Sequence, residues 1–338
     1  MSELKPYLAD VPVRVNIWIR PECQRKQFEV LKQARPSIMF LISDGGRNEK
    51  EWEAIYQNRA IFDNEIDWEC TIYKLYEDKN NGLYTMGKKG SELIWSKVDR
   101  CIFLEDDQVV SVSYFKFCEE LLEKYKDDTR ISGICAMNLA KNWDTSENDY
   151  FFAKSFVIWG LATWKRVHEK RDYSFSYGND PYAMKLIEKI KKKDKKYYEA
   201  LKAVASKGMY DGHVAGGEFF HAYNAYLQNQ LFIMPKVNMM KNIGCTENAA
   251  HSTEYMLLPK AMKKVFNMPT YEVKFPLNHP CCIVCDDEYD KKAFKVMGRN
   301  HPAISFCRRV ESILLSIRYG VFFKRLKKRR ERKGKIEK

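Results

Sequence analysis

The first 140 residues alternate between apolar runs and amphipathic stretches, and this alternation limits the folds open to the chain. Several runs are apolar throughout, which is typical of parallel strands covered by helices on both faces of a sheet. The sequence therefore predicts an α/β fold with a Rossmann-like, doubly wound, mostly parallel sheet. The predicted strands are residues 13–19, 37–43, 70–76, 100–104 and 131–137, and the predicted helices are residues 21–33, 50–62, 83–97 and 113–126.

Charged residues follow three of the predicted strands. Arg20 follows the first strand, Asp44 the second, and the triplet Glu105-Asp106-Asp107 the fourth. Open α/β sheets bind ligands outside the carboxyl ends of their strands, so we expect these side chains to lie at one edge. Neighbouring carboxylates resist joint ionisation unless a cation neutralises them, and Mg²⁺ or Mn²⁺ prefers oxygen ligands. The triplet thus predicts a divalent metal beside a bound phosphate.

The triplet has a second interpretation, which the residues alone leave open. Its carboxylates precede the amphipathic stretch from Ser113 to Lys126. Negative charge is stabilising near a helix N-terminus, so the acids could serve only that helix.

Composition favours a folded globule, with 45% hydrophobic and 14% aromatic residues. The ten cysteines lack the spacing of a disulfide framework, and Cys101, Cys118 and Cys135 lie in core-like apolar runs. The first residues lack the layout of a signal peptide, and no uncharged apolar run approaches the ~18 residues that span a bilayer. We therefore expect a cytoplasmic protein.

The net charge of +13 is concentrated at the C-terminus. Residues 324–338 hold ten Lys or Arg against Glu331 and Glu337, a net of +8. This tail follows a basic amphipathic segment, residues 306–323. The combination predicts peripheral attachment to an anionic membrane surface, here the inner face of the cell membrane. Nucleic-acid binding is a rival interpretation that we consider weaker, and a solvated tail without a partner is the plain one.

The motifs along residues 10–255 resemble those of nucleotide-sugar glycosyltransferases with the GT-A fold. They are similar to bacterial hemolytic-protein-like glycosyltransferases and, more distantly, to N-acetylglucosaminyltransferase I. Each motif is short, but five in the same order form a specific combination. The matching segments are Ile19-Arg20-Pro21, Ser43-Asp44-Gly45, Phe103 to Asp107, Trp159 to Trp164, and Pro235 to His251.

The resemblance implies a domain organisation and a metal site. Residues 10–140 would bind the nucleotide sugar and residues 141–260 the acceptor, followed by a helical extension at 261–323 and the tail at 324–338. Asp107 would be the direct ligand of Mn²⁺ or Mg²⁺. His251 would lie near the diphosphate or the metal.

The resemblance also implies how the donor is held. Arg20 would contact the nucleotide diphosphate and Asp44 the base, while Glu105 and Asp106 would lie nearer the ribose and nucleotide. Two tryptophans, Trp159 and Trp164, could form a wall on which a sugar stacks or could belong to the core.

The general base has two candidates. The family tends to place an aspartate where this chain has Glu218, in Gly217-Glu218-Phe219, and this departure makes Asp180 the second choice. A carboxylate that takes the proton of the incoming hydroxyl, opposite the leaving group, inverts the anomeric carbon. The predicted enzyme is thus an inverting glycosyltransferase of bacterial surface polysaccharide synthesis, with a glycan or lipid-linked glycan as acceptor.

Other functions and one other metal site compete with this prediction. A sugar nucleotidyltransferase has a similar sheet but would carry a glycine-rich phosphate loop directly after the first strand. A non-catalytic protein could bind a membrane or nucleic acid through the basic tail. Zinc could bind His279 with Cys281, Cys282 and Cys285, although a second Cys-x-x-Cys pair is missing.

Overall fold

A computed structural model describes residues 4–192, 195–207, 209–210, 213–214, 217–244, 255–299, 301–324 and 327. The chain divides into two compact units, each assembled from separate stretches of sequence. The first comprises Met1–Arg171, His221–Gly244 and Phe266–Asp290, and the second Asp172–Phe220, Cys245–Val265 and Lys291–Lys338. The functional boundaries at 140, 260 and 323 stay predictions. Within the described ranges, no helix has the length and apolar character required to cross a membrane.

An eight-stranded sheet forms the centre of the first unit, in the order β3-β2-β1-β4-β8-β6-β11-β7. Strands β1, β2, β3 and β4 run parallel, as do β6 and β11, whereas β8 and β7 are antiparallel to their neighbours. The strands are β1 Ala9–Ile17, β2 Pro36–Ser43, β3 Thr71–Tyr76, β4 Arg100–Leu104, β5 Gln108–Val110, β6 Ile131–Ile134, β7 Tyr150–Ala153, β8 Ala162–Trp164, β9 Met209–Tyr210, β10 His213–Val214, β11 Leu231–Pro235 and β12 Met240–Asn242. Two further antiparallel pairs are β5 with β12 and β9 with β10.

Helices connect the first four parallel strands, as the alternating sequence predicts. The α-helices are α1 Pro21–Ala34, α2 Glu49–Asn64, α3 Leu83–Trp95, α4 Ser113–Lys124, α5 Lys165–Glu169, α6 Pro181–Glu188, α7 Lys195–Lys207, α8 Gly217–Leu227, α9 Lys260–Phe266, α10 Asp287–Met297 and α11 Pro302–Arg318. Two short 3₁₀-helices span Ser176–Asn179 and Lys189–Lys192. The predicted fold class, a Rossmann-like α/β fold with a mostly parallel sheet, is confirmed.

Buried apolar side chains of the sheet and its helices form the core of this unit. Val11, Val13 and Val15 of β1 are fully buried, as central parallel strands require. The three core-like cysteines, Cys101, Cys118 and Cys135, are also buried and unpaired. Burial raises the pKa of each of these thiols, so they remain protonated small apolar side chains.

Gly160 forms a tight corner before the antiparallel strand β8. Its φ of 68° is in the left-handed region, which favours glycine. A Cβ at this position would lie 2.8 Å from the Cβ of Ala136. The Gly160 carbonyl accepts a hydrogen bond from the Tyr114 hydroxyl at 2.6 Å, and its N–H donates to Gln108 Oε1 at 2.9 Å. This corner therefore joins β8 to the loop that follows β4.

We expect Gly160→Ala to lower the free energy of unfolding by about 3 kcal/mol, because it combines backbone strain with a steric clash. Gly320→Ala is the matched control, since Gly320 has φ 67° and open space around the position of a Cβ. The control should cost only ~1 kcal/mol of backbone strain. Urea denaturation followed by circular dichroism measures both, and equal losses would contradict the close packing at Gly160.

Candidate functional site

Arg20 joins the end of β1 to the acidic triplet. Its Nε and Nη2 donate to the two carboxylate oxygens of Asp106 at 2.8 and 2.6 Å, which is a bidentate pair. Its Nη1 donates to Asp107 Oδ2 at 2.8 Å. One guanidinium thus holds two neighbouring carboxylates at the carboxyl ends of β1 and β4.

The two aspartates that pair with Arg20 are buried. Asp106 and Asp107 are only 4% and 9% exposed. Burial by itself lowers the pKa of Arg20, but the charges and hydrogen bonds of Asp106 and Asp107 outweigh it and raise that pKa above its ordinary value. Burial raises the pKa of Asp106, and the charge of Arg20 opposes the rise. Arg20 is therefore a permanent cation between the two carboxylates.

Glu105 is the third carboxyl group of the triplet, and it differs from the other two. The residue is exposed, and its carboxylate forms no ion pair within the described ranges. Desolvation, followed by the charges of Asp107 and Asp106, raises the pKa of Glu105 to about 7. The Coulombic fields of Arg14 and Arg20 oppose the rise but do not cancel it. The triplet thus carries more negative charge than Arg20 neutralises.

Asp107 retains one oxygen suited to a cation. Its Oδ1 is buried and has no hydrogen-bond partner within the described structure, whereas Oδ2 is paired with Arg20. A buried carboxylate oxygen without a partner is costly, and a divalent metal would satisfy it. Asp106 is different, because Arg20 already engages both of its oxygens. The unpartnered Asp107 oxygen fits a hard cation, which prefers oxygen ligands.

Two buried glutamines fix the loop that carries the triplet. The Gln27 amide on α1 donates to the carbonyl oxygens of Glu105 at 2.6 Å and Gln108 at 2.8 Å. The Gln108 side chain accepts from the Glu105 N–H at 3.2 Å. Sequence reasoning missed both residues. A signal was available for Gln27, which lies with Cys23, Phe28 and Leu31 on the buried face of α1, where glutamine requires a polar partner.

The backbone at the end of β12 lies against the triplet. The Ile243 N–H donates to the Asp107 carbonyl at 2.8 Å, and β12 pairs with β5 beside it. A Cβ at Gly244 would overlap Asp107 Oδ2 and Arg20 Nη1, so only glycine lets the backbone approach the ion pair this closely. The sequence motif that ends in Asn242-Ile243-Gly244 therefore reaches the acidic site. His251, the predicted second metal residue, lies outside the described residues.

Asp44 lies at the end of β2, as predicted, and its carboxylate braces the turn before α3. Oδ1 accepts from the backbone N–H groups of Gly45 at 2.9 Å and Asn81 at 2.8 Å. Oδ2 accepts from the Gly82 N–H at 2.8 Å and the Asn80 amide at 3.2 Å. Aspartate side chains commonly accept hydrogen bonds from the backbone of a turn. Here the turn lies 36 to 38 residues further along the chain. Contact of Asp44 with a base stays a prediction.

The two tryptophans have different environments. Trp164 is 3% exposed, its Nε1 donates to the Leu122 carbonyl at 2.9 Å, and the guanidinium of Arg166 lies 4.3 Å from its ring centroid. It belongs to the core and has no open face for a sugar. Trp159 is half-buried and packs against Phe266, with ring centroids 5.0 Å apart. Of the two, Trp159 is the one with surface left for a ligand.

Both candidates for the general base lie in the second unit, at helix N-termini. Asp180 is the N-cap of α6, and its Oδ1 accepts from the N–H groups of Tyr182 at 2.8 Å and Ala183 at 3.1 Å. Glu218 lies exposed in the first turn of α8. Helix capping thus explains the presence of Asp180 at this position without any catalytic role. It is a weaker structural explanation for Glu218, which lies in the first turn rather than at the cap.

The residues of the zinc hypothesis do not converge. His279 Nδ1 lies 2.9 Å from the Tyr150 hydroxyl and Nε2 lies 3.1 Å from Glu120 Oε1, so both ring nitrogens are engaged. Cys281 and Cys282 are exposed, with sulfurs 3.6 Å apart.

Cys285 instead groups with two aspartates. Within the described ranges, Cys285, Asp287 and Asp290 place ligand atoms within 4.8 Å of one another. Asp290, however, accepts from the backbone N–H groups of Ser155 at 2.8 Å and Lys154 at 3.2 Å. Its carboxylate therefore has a structural role already.

Comparison with known proteins gives only distant likenesses. No protein-family model and no curated protein matches the chain. A mannosyltransferase of Pyrobaculum calidifontis, solved with GDP-Man and Mn²⁺, is 8% identical with a TM-score of 0.43, over 92% of this chain and 76% of that one. A UDP-glucose pyrophosphorylase solved with UDP-glucose is 10% identical with a TM-score of 0.33, over 68% and 91%. Likeness this distant carries no argument for a reaction.

We expect Gln27→Met to lower the free energy of unfolding by about 1–3 kcal/mol, because it leaves the buried carbonyls of Glu105 and Gln108 without their partner. The matched control is Gln33→Met on the same helix, since Gln33 is exposed and donates only to the Glu29 carbonyl. The control should stay near the wild-type value. Guanidinium denaturation measures both, and equal stability of the two variants would contradict the bracing role of Gln27.

Proposed function

We propose that this chain is a metal-dependent glycosyltransferase that moves a sugar from a nucleoside diphosphate sugar, expected to be a UDP sugar, to a glycan hydroxyl with inversion. The observation that carries the proposal is the buried Arg20–Asp106–Asp107 cluster, in which Asp107 Oδ1 has no hydrogen-bond partner among the described residues. Ligands of open α/β sheets bind outside the carboxyl ends of the strands. A donor diphosphate is an anion that the cluster would admit only together with a cation.

In this proposal Asp107 would hold the metal through Oδ1, and Glu105 would lie nearer the ribose and the nucleotide. The metal would supply stabilisation of the negative charge that develops on the departing phosphate. Arg20 fixes the carboxylates in place and leaves Asp107 with one oxygen for a ligand. His251, seven residues after Gly244, stays the expected additional residue near the diphosphate.

Glu218 is our first choice for the group that accepts the proton of the acceptor hydroxyl. It is exposed and carboxylate-bearing, whereas Asp180 uses its carboxylate as a helix cap. The acceptor would be a glycan or lipid-linked glycan in surface polysaccharide synthesis, as the sequence resemblance implies.

Calorimetry with UDP and GDP, with and without Mn²⁺, tests the donor site. We expect nucleotide binding that requires Mn²⁺ and that weakens about a hundredfold in Asp107→Asn, because the amide removes the anionic metal ligand at nearly constant size. Asp63→Asn is the control, since Asp63 forms a surface ion pair with Lys74 at 2.7 Å. A nucleotide affinity that is the same with and without Mn²⁺, and the same in Asp107→Asn as in the wild type, would contradict the proposal.

A second assay separates the two enzyme classes. Incubation with nucleotide sugars should release free nucleoside diphosphate slowly. A sugar nucleotidyltransferase would instead combine a nucleoside triphosphate with a sugar phosphate and release pyrophosphate. Formation of a nucleotide sugar and pyrophosphate, without release of nucleoside diphosphate, would assign the chain to the second class.

The general base is tested by Glu218→Gln and Asp180→Asn. We expect Glu218→Gln to lower the transfer rate about 10²–10⁴-fold with unchanged donor affinity, because it removes the proton acceptor but no donor contact. Asp180→Asn should retain activity, since asparagine caps helices as well as aspartate does. Steady-state kinetics and donor titration measure the two effects. Loss of rate only in Asp180→Asn would reverse the assignment.

A further inference from the structure

Helix α11 in the second unit carries an apolar stripe on its solvent side. Its members are exposed by 66%, 38%, 41%, 61% and 56%, and they are Phe306, Val310, Ile313, Leu314 and Ile317. Steps of three and four residues keep side chains on one side of a helix. We call these five residues the α11 stripe. Beyond the helix, Phe323 is also exposed, by 82%.

The opposite side of α11 is anchored to its own unit. Arg308 Nη2 donates to the Val296 carbonyl at 2.7 Å, and Ser316 is 2% exposed. The Glu311 carboxylate accepts from the Lys260 N–H at 2.8 Å. These contacts attach α11 to its own unit through the side opposite the stripe. The α11 stripe is therefore not the side through which this helix packs on its unit.

Cations border this stripe. Arg309 and Arg318 are exposed on α11, and Lys324 and Lys327 are exposed just after it. Glu311 is the only acidic residue of the helix, and it lies on the anchored side. Residues 324–338, which include Lys324 and Lys327, hold ten basic residues against two acidic ones. An apolar stripe bordered by cations is complementary to a surface that is apolar inside and anionic at its boundary.

Two other occupants fit these features less well. A second copy of the chain would bring Arg309, Arg318 and the basic residues beyond them against their own counterparts, which is repulsive across an isologous interface. Nucleic acid would pair with the cations but would offer no apolar surface for Phe306, Ile313 and Ile317. A bilayer with anionic lipids satisfies both the apolar and the cationic residues.

We propose that α11 lies in the interfacial plane of an anionic bilayer. The α11 stripe enters the acyl boundary, and Arg309, Arg318, Lys324 and Lys327 contact headgroup phosphates. This inference goes beyond the glycosyl transfer proposed above and does not depend on it, since vesicle binding is measured without donor or acceptor.

Vesicle flotation of the full chain tests the proposal, with phosphatidylcholine vesicles that do or do not contain phosphatidylglycerol. We expect binding only to the anionic vesicles. The triple variant Phe306→Ser/Ile313→Ser/Ile317→Ser should bind at least about a hundredfold more weakly, since each buried apolar side chain is worth on the order of tenfold in affinity. The matched control is Tyr56→Ser/Leu83→Ser, because Tyr56 and Leu83 are exposed apolar residues of the first unit.

Deletion of residues 324–338 separates the contribution of the tail's positive charge to vesicle binding from the contribution of the α11 stripe. The truncated chain should bind anionic vesicles more weakly and with less dependence on salt, and further loss should follow when the triple substitution is added. Wild-type affinity of the triple variant would overturn the proposal. So would a dimer of the wild-type chain that the triple variant converts to a monomer while vesicle binding stays unchanged.

A second measurement keeps the test independent of any folding defect in the triple variant. Phe306→Trp should gain fluorescence that brominated lipids quench, whereas Tyr56→Trp should not. Equal quenching of the two variants would show that α11 does not enter the bilayer.

Discussion

The pairing of Arg20 with Asp106 and Asp107 is the interaction on which the candidate site depends. Two buried carboxylates side by side repel each other, and a guanidinium with fixed donor geometry is the group that can hold both. Because Arg20 follows β1 and the aspartates follow β4, the pair also ties the ends of two adjacent parallel strands together. The remaining negative charge and the unpartnered Asp107 Oδ1 make the edge receptive to a cation.

The surroundings of this cluster hold it in place by backbone contacts. Gln27 and Gln108 bind the loop of the triplet, Gly160 links that loop to β8, and Gly244 lets β12 lie against the ion pair. Such bracing matters for chemistry because a metal ligand displaced by an ångström no longer meets the geometry of its ion. The same bracing also explains why polar residues occur on the buried face of α1.

The acidic cluster and the proposed membrane surface belong to different units of the described chain. The acidic cluster belongs to the first unit, whereas Glu218, Asp180 and α11 belong to the second. The proposed metal binding and the proposed vesicle binding therefore rest on separate residues, and each can be tested by itself.

The sequence by itself determined the alternating α/β fold, the buried cysteines and the position of the acidic triplet at a strand end, because hydrophobic periodicity and strand direction are local properties. It missed β8, which at three residues is too short to show a period. Tertiary structure decided that Arg20 pairs with Asp106 and Asp107, that Asp44 braces a turn far along the chain, and that Trp164 is core. Those outcomes depend on which distant atoms compete for each polar group, and only the folded chain sets those distances.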